Sequence, residues 1–105
     1  MNLIPTIFRI WTEGDERQLI ALFPTIPADE SGCVECYVAI APFGQDGFSS
    51  GDFDEWMNCG RLAEPAEFAR LMATIEELGR PCRPVARRTP EMLAEFEAAL
   101  ARLRE

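Results

Sequence analysis

Hydrophobic periodicity changes along this chain at Pro65, and that change sets the fold class. From there Phe68, Leu71, Met72, Ile75 and Leu78 recur at helical spacing, along one face of a helix. Pro65 suits the first helical turn and Gly79 the position just past the end. Upstream, the apolar segments are short, rich in β-branched and aromatic residues, and separated by turn residues. "TIFRIW" (Thr6–Trp11), "QLIALF" (Gln18–Phe23) and "CVECYVAIA" (Cys33–Ala41) read as three strands. "EGDE" and "ADESG" supply turns, and the prolines of "PTIP" end the second strand. Short connections favour antiparallel neighbours, so the three form a meander. "WMNCGRL" reads as a brief return to the sheet, and "PCRPVARR" (Pro81–Arg88), held extended by its prolines, as a further strand. Thr89 caps a second helix begun by Pro90, with Leu93, Phe96, Leu100 and Leu103 as its apolar stripe. The expected order is β-β-β-(β)-α-β-α. It predicts a single α+β domain over residues 1–105, a small antiparallel sheet of three to five strands with two helices packed on one face.

A chain of 105 residues supports one core. Its 48% hydrophobic content is enough to build that core and excludes wholesale disorder. No apolar run approaches the roughly 18 residues that span a bilayer. "MNLIPTIFRIW" has neither a basic leader nor a small-residue cleavage site, so a cytoplasmic protein without membrane contact is expected.

Charge is distributed unevenly. Residues 1–60 hold ten carboxylates against Arg9 and Arg17, whereas residues 61–105 hold eight groups of each sign, so the whole net charge of −8 belongs to the first part. Such a surface repels nucleic acid and either attracts a basic partner or serves solubility alone. The chain has no histidine, which removes the usual general base and proton shuttle and excludes Ser-His and Cys-His mechanisms. No catalytic residue is assigned, and an enzyme is not expected.

Cys33 and Cys36 form a C-x2-C pair, but Cys59 and Cys82 stand alone, unlike the two close pairs of a structural zinc site. Within a strand, residues three apart point to opposite faces, roughly 10 Å from each other, too far to share a metal or a disulfide. The four are read as buried, reduced thiols, with no metal and no cofactor. Arg80, Arg83, Arg87 and Arg88 form a basic cluster that is expected to pair with helix carboxylates.

The stretch "PFGQDGFSSGDFDEW", Pro42 to Trp56, reads as a loop that mixes carboxylates, glycines and aromatic rings. The EF-hand pattern is not met from Asp46, Asp52, Asp54 or Glu55. Gly44, Gly47 and Gly51 let the backbone turn, since the neighbouring carboxylates would repel a phosphate. Phe43, Phe48, Phe53 and Trp56 either pin the loop to the core or serve as anchors for a partner. Asp46, Phe48, Asp52, Phe53, Asp54, Glu55 and Trp56 are therefore the expected partner-binding residues.

"ALFP" (Ala21–Pro24), "CVECY" (Cys33–Tyr37), "GQDG" (Gly44–Gly47) and "EPAEFARLMATIEELGRPCRPVARR" (Glu64–Arg88) together resemble a small bacterial family found on plasmids and in phage-like elements. The resemblance spans roughly residues 7–88 and makes the helix of residues 89–105 a C-terminal extension. The chain departs from the family pattern at Cys36, where serine is frequent, and at Asp46, where histidine is frequent. Small acidic proteins of mobile elements include anti-CRISPR and anti-restriction inhibitors of host defence; the resemblance implies that context, and the net charge held in residues 1–60 leads to the expectation of a basic, nucleic-acid-handling protein partner. A domain about 30 Å across matches a duplex length with on the order of 18 phosphates, which eight net charges do not imitate. A local plug for a basic groove fits better. The alternatives are a metal or redox protein using the cysteines or loop carboxylates, and a module that dimerises through the stripe from Leu93 to Leu103. Both monomer and homodimer remain open.

Overall fold

Two long strands start the chain because a single glycine lets them meet. Strand β1 (Ile4–Glu13) and strand β2 (Glu16–Pro27) pair antiparallel, with Glu13 opposite Glu16 across the two-residue loop Gly14–Asp15. Gly14 has φ of 62°, the backbone a type II′ turn requires at its first central residue. The computed structural model describes residues 2–41 and 44–105. Strand β3 (Val34–Ala41), strand β4 (Gln45–Gly51), helix α1 (Phe53–Met57), strand β5 (Arg61–Leu62), helix α2 (Pro65–Glu77), strand β6 (Cys82–Pro84) and helix α3 (Pro90–Leu103) follow.

The sheet runs β4-β3-β2-β1-β5, with β6 also on β1. All pairings are antiparallel except β1 with β6, which is parallel. Strand β5 meets β1 at Arg9–Ile10 and β6 meets it at Ile4–Thr6, so two short strands share the outer edge of β1.

Among the described residues, six strands and three helices replace the three to five strands and two helices expected from the sequence, and the helices do not share a face. Strand alternation sends Phe8, Ile10, Ala21, Phe23 and Tyr37 to one side, where Phe68, Leu71 and Ile75 of α2 cover them. Ile7, Ile20, Leu22, Val34 and Cys36 go to the other side, under Phe96 and Leu100 of α3 and beside Phe53, Trp56 and Met57 of α1. The reason is in the strands themselves: "LIALF" is apolar at successive positions, so both faces need a cover. Phe8 and Phe68 stack with centroids 4.1 Å apart, fixing α2 on its side. The C-terminal helix is therefore the cover of the second face, and the centre of its stripe is spent inside this chain. Phe96 and Leu100 are buried, while Leu93 and Leu103 stay exposed.

Local signals explain the helices. The Thr89 side chain accepts from the Met92 N–H and Pro90 opens α3, as the sequence predicts. Helix α2 has Pro65 in its first turn, and the Glu67 carboxylate accepts from the Glu64 N–H at 2.9 Å. Prolines do not end β2: the strand continues through "PTIP" to Pro27, and its pairing with β3 shifts between Leu22 and Pro27. A register shift of this kind absorbs residues that cannot donate to the ladder. Among the described residues no helix is long and apolar enough to cross a membrane.

Candidate interaction surface

The segment expected as a loop is a strand and a short helix. Strand β4 pairs with β3 over seven consecutive positions, from Gln45 opposite Ile40 to Gly51 opposite Val34. Asp52 then caps α1, its Oδ1 accepting from the Glu55 N–H at 2.9 Å. Of the expected anchors, Phe43 lies outside the described residues.

Register divides the expected patch between the two faces of the sheet. Asp46 lies opposite Ala39 and Phe48 opposite Tyr37, which puts both on the α2 side. The Tyr37 hydroxyl donates to Asp46 Oδ2 at 2.8 Å, and Phe48 meets the Tyr37 ring edge-on at 4.9 Å. Burial, then the hydrogen bond and charge of Asp46, raise the Tyr37 phenol above its ordinary pKa. The Arg80 guanidinium covers the rings of Phe23 at 4.6 Å and Phe48 at 4.9 Å, and its Nη1 bonds Glu35 Oε1 at 2.7 Å. Phe48 nevertheless keeps 49% of its surface in solvent.

Helix α1 turns to the opposite face. Trp56 packs on Trp11 with centroids 5.0 Å apart, and Phe53 lies under the Arg88 guanidinium at 4.1 Å. Both rings are half-buried and pack against the second core, so they pin α1 to it. Gly51 makes this possible: a Cβ there would sit 1.7 Å from Trp56 Nε1. Asp46, Asp52, Asp54 and Glu55 are exposed. None of them forms an ion pair among the described residues, where Arg61–Glu67 and Arg80–Glu35 are the salt bridges.

The basic cluster also behaves differently from expectation. Arg80 takes a strand carboxylate, Glu35, and Arg88 takes none: it lies between Phe53 and Phe96 and its Nε donates to the Pro24 carbonyl at 3.1 Å. Helix carboxylates lose the contest because the segment after α2 runs alongside β1, which brings Arg80 to the sheet and Arg88 to the α1–α3 junction. Burial lowers the Arg88 pKa, against the opposing influence of Asp54 and Glu97.

No family model, curated protein or solved structure matches this chain. The four cysteines are free. Burial, followed by the charges of Glu35 and Cys33, pushes the Cys36 thiol up to about 11, and burial also raises that of Cys82. Such thiols are poor nucleophiles. No group of three or more Cys, Asp and Glu side chains converges to hold a metal among the described residues.

The constellation of Glu35, Tyr37, Asp46, Phe48 and Arg80 is absent from the sequence reading. Its signal was alternation: once "QDGFSSG" is taken as a strand against "ECYVAI", Asp46 and Phe48 fall on the same face as Tyr37. Beside Asp46 an open groove of about 430 Å³ runs between α2 and the sheet, with Leu19, Ala39 and Leu71 in its lining and Arg17 and Arg70 also bordering it.

Proposed function

We propose that this chain is a non-enzymatic binding protein that meets a basic, nucleic-acid-handling protein with the carboxylates of β4 and α1. The observation that carries this reading is the set of Asp46, Asp52, Asp54 and Glu55, all exposed and none engaged in a described ion pair, in the half of the chain that holds its net charge. Electrostatic complementarity of this kind sets association rate and partner choice. The aromatic share of the surface narrows to Phe48, because Phe53 and Trp56 serve the second core. A plug for a basic groove remains favoured over imitation of a duplex: the 43 Å long axis of the molecule corresponds to on the order of 25 phosphates, against a net charge of −8. Inhibition of a nucleic-acid-handling partner by occupying its groove is the activity this arrangement would serve.

The test is affinity capture from lysate at low salt and at about 0.5 M salt, where the screening length falls to a few ångströms. The baits are the protein and an Asp54→Arg/Glu55→Arg variant. Asp52 is left in place because it caps α1. A basic nucleic-acid-binding protein held by the unaltered bait at low salt, and lost with either change, is the expected result. Retention indifferent to both salt and charge reversal overturns the proposal.

A further inference from the structure

We propose that strand β4 is completed by an extended, arginine- or lysine-bearing segment of the partner, added to the sheet through backbone hydrogen bonds. This rests on the reading of the acidic surface and specifies how that surface is used.

The two ends of the sheet are unequal. The outer edge of β1 is shared by β5 and β6, whereas β4 pairs with β3 on one side and ends the sheet on the other. Native sheets protect such an edge with proline, lysine, a bulge or a very short strand, because its free N–H and C=O groups template pairing with another chain. Strand β4 has a single charge, Asp46, as its protection: it spans seven residues, Gln45–Gly51, contains neither proline nor a basic residue, and keeps continuous register with β3. The register shift in this sheet lies between β2 and β3 instead.

Side chains beside that edge specify the occupant. An added strand would place alternate side chains on the α2 face, next to Asp46 and the half-exposed Phe48. Asp52, Asp54 and Glu55 lie just beyond its Gly51 end. An extended segment alternating cationic with apolar or β-branched residues satisfies the carboxylates and the backbone together. A second copy of this chain fits poorly. Antiparallel self-pairing of β4 sets Asp46 of one copy beside the Ser50–Asp52 end of the other, between molecules that each carry −8. Nucleic acid and an anionic membrane are repelled by the same charges.

The probe is a short peptide of alternating arginine and valine, titrated into isotopically labelled full-length protein and followed by the amide signals of Gln45–Gly51. Two further peptides carry backbone N-methyl groups on one alternating set of residues or on the other. All three have the same charge, but a paired strand presents only one of the two sets of N–H groups to β4. The unmodified peptide is expected to shift the β4 signals in a salt-sensitive manner, and one methylated set is expected to weaken binding at least about tenfold while the other leaves it unchanged. Equal, salt-sensitive binding of all three overturns strand addition and leaves the acidic surface reading intact. No binding of the unmodified peptide overturns both. A stable homodimer in light scattering, with β4 amides protected from exchange, also overturns the proposal by assigning the edge to a second copy.

Discussion

Arg88 illustrates how much one side chain settles in a molecule of this size. Its guanidinium lies over Phe53 at 4.1 Å and Phe96 at 4.5 Å, so it joins α1 to α3, while Nη2 is buried without a hydrogen-bond partner among the described residues. Truncation removes two ring contacts and the bond to the Pro24 carbonyl. Arg88→Ala is expected to cost about 1–3 kcal/mol in urea unfolding. Arg88→Met keeps an apolar stem and removes the unsatisfied nitrogen, so it should cost less than alanine. If alanine and methionine are both neutral, the guanidinium does not tie the helices. Cys36 gives a second test. Its thiol is raised to about 11 in the folded chain, so both states are protonated below the ordinary value of 9.0 and the unfolded chain ionises first. Its contribution to stability is therefore complete below pH 9.0 and is lost as pH rises towards about 11. Cys36→Ala should flatten the fall in stability over that interval, measured as unfolding midpoint against pH. In the native protein the half-buried Cys33 and Cys59 should react with a thiol reagent before Cys36 and Cys82.

At the scale of elements, β4 and α1 form one unit whose sequence conceals it. "GFSSG" has glycine and serine where strands favour branched and aromatic residues, so local propensity reads it as a loop. Pairing with β3 and the contact of Phe48 with Tyr37 override that propensity. Helix α1 was legible in principle, since Asp52 followed three residues later by Glu55 is a helix-start signature. Five residues are too few to show a periodic stripe, and helix stability here comes from Phe53, Trp56 and Met57 against the second core. Gly51→Ala tests the junction: its Cβ displaces Trp56 from its place, at an expected cost of about 1–3 kcal/mol. Tryptophan fluorescence should report the separation of Trp56 from Trp11, and an unchanged spectrum with unchanged stability would show that the junction tolerates a side chain. The prolines of β2 teach the converse lesson. They forbid regular pairing but not a strand, because the shifted register near Pro27 accommodates them.

The whole molecule is a sheet covered on two sides, which makes α3 structural. Phe96→Ala opens the cover over Ile7, Ile20, Leu22 and Val34 and is expected to cost about 3–5 kcal/mol in urea unfolding. Exposed Leu93 and Leu103 replaced by alanine should each cost much less, and equal losses at all three positions would contradict the burial pattern. Local sequence determined α2, α3, the Thr89 cap and the three long strands, because helical stripes, β-branched and aromatic content and turn or cap residues are properties of neighbouring residues. Charge by position was equally legible, since carboxylates count the same wherever the chain goes. The face each helix covers, the strand that ends the sheet, and the split of Asp46 and Phe48 from Phe53 and Trp56 were decided by register. Register depends on which distant segments pair, and a shift of one residue exchanges every side chain between faces, so only the tertiary structure could assign them.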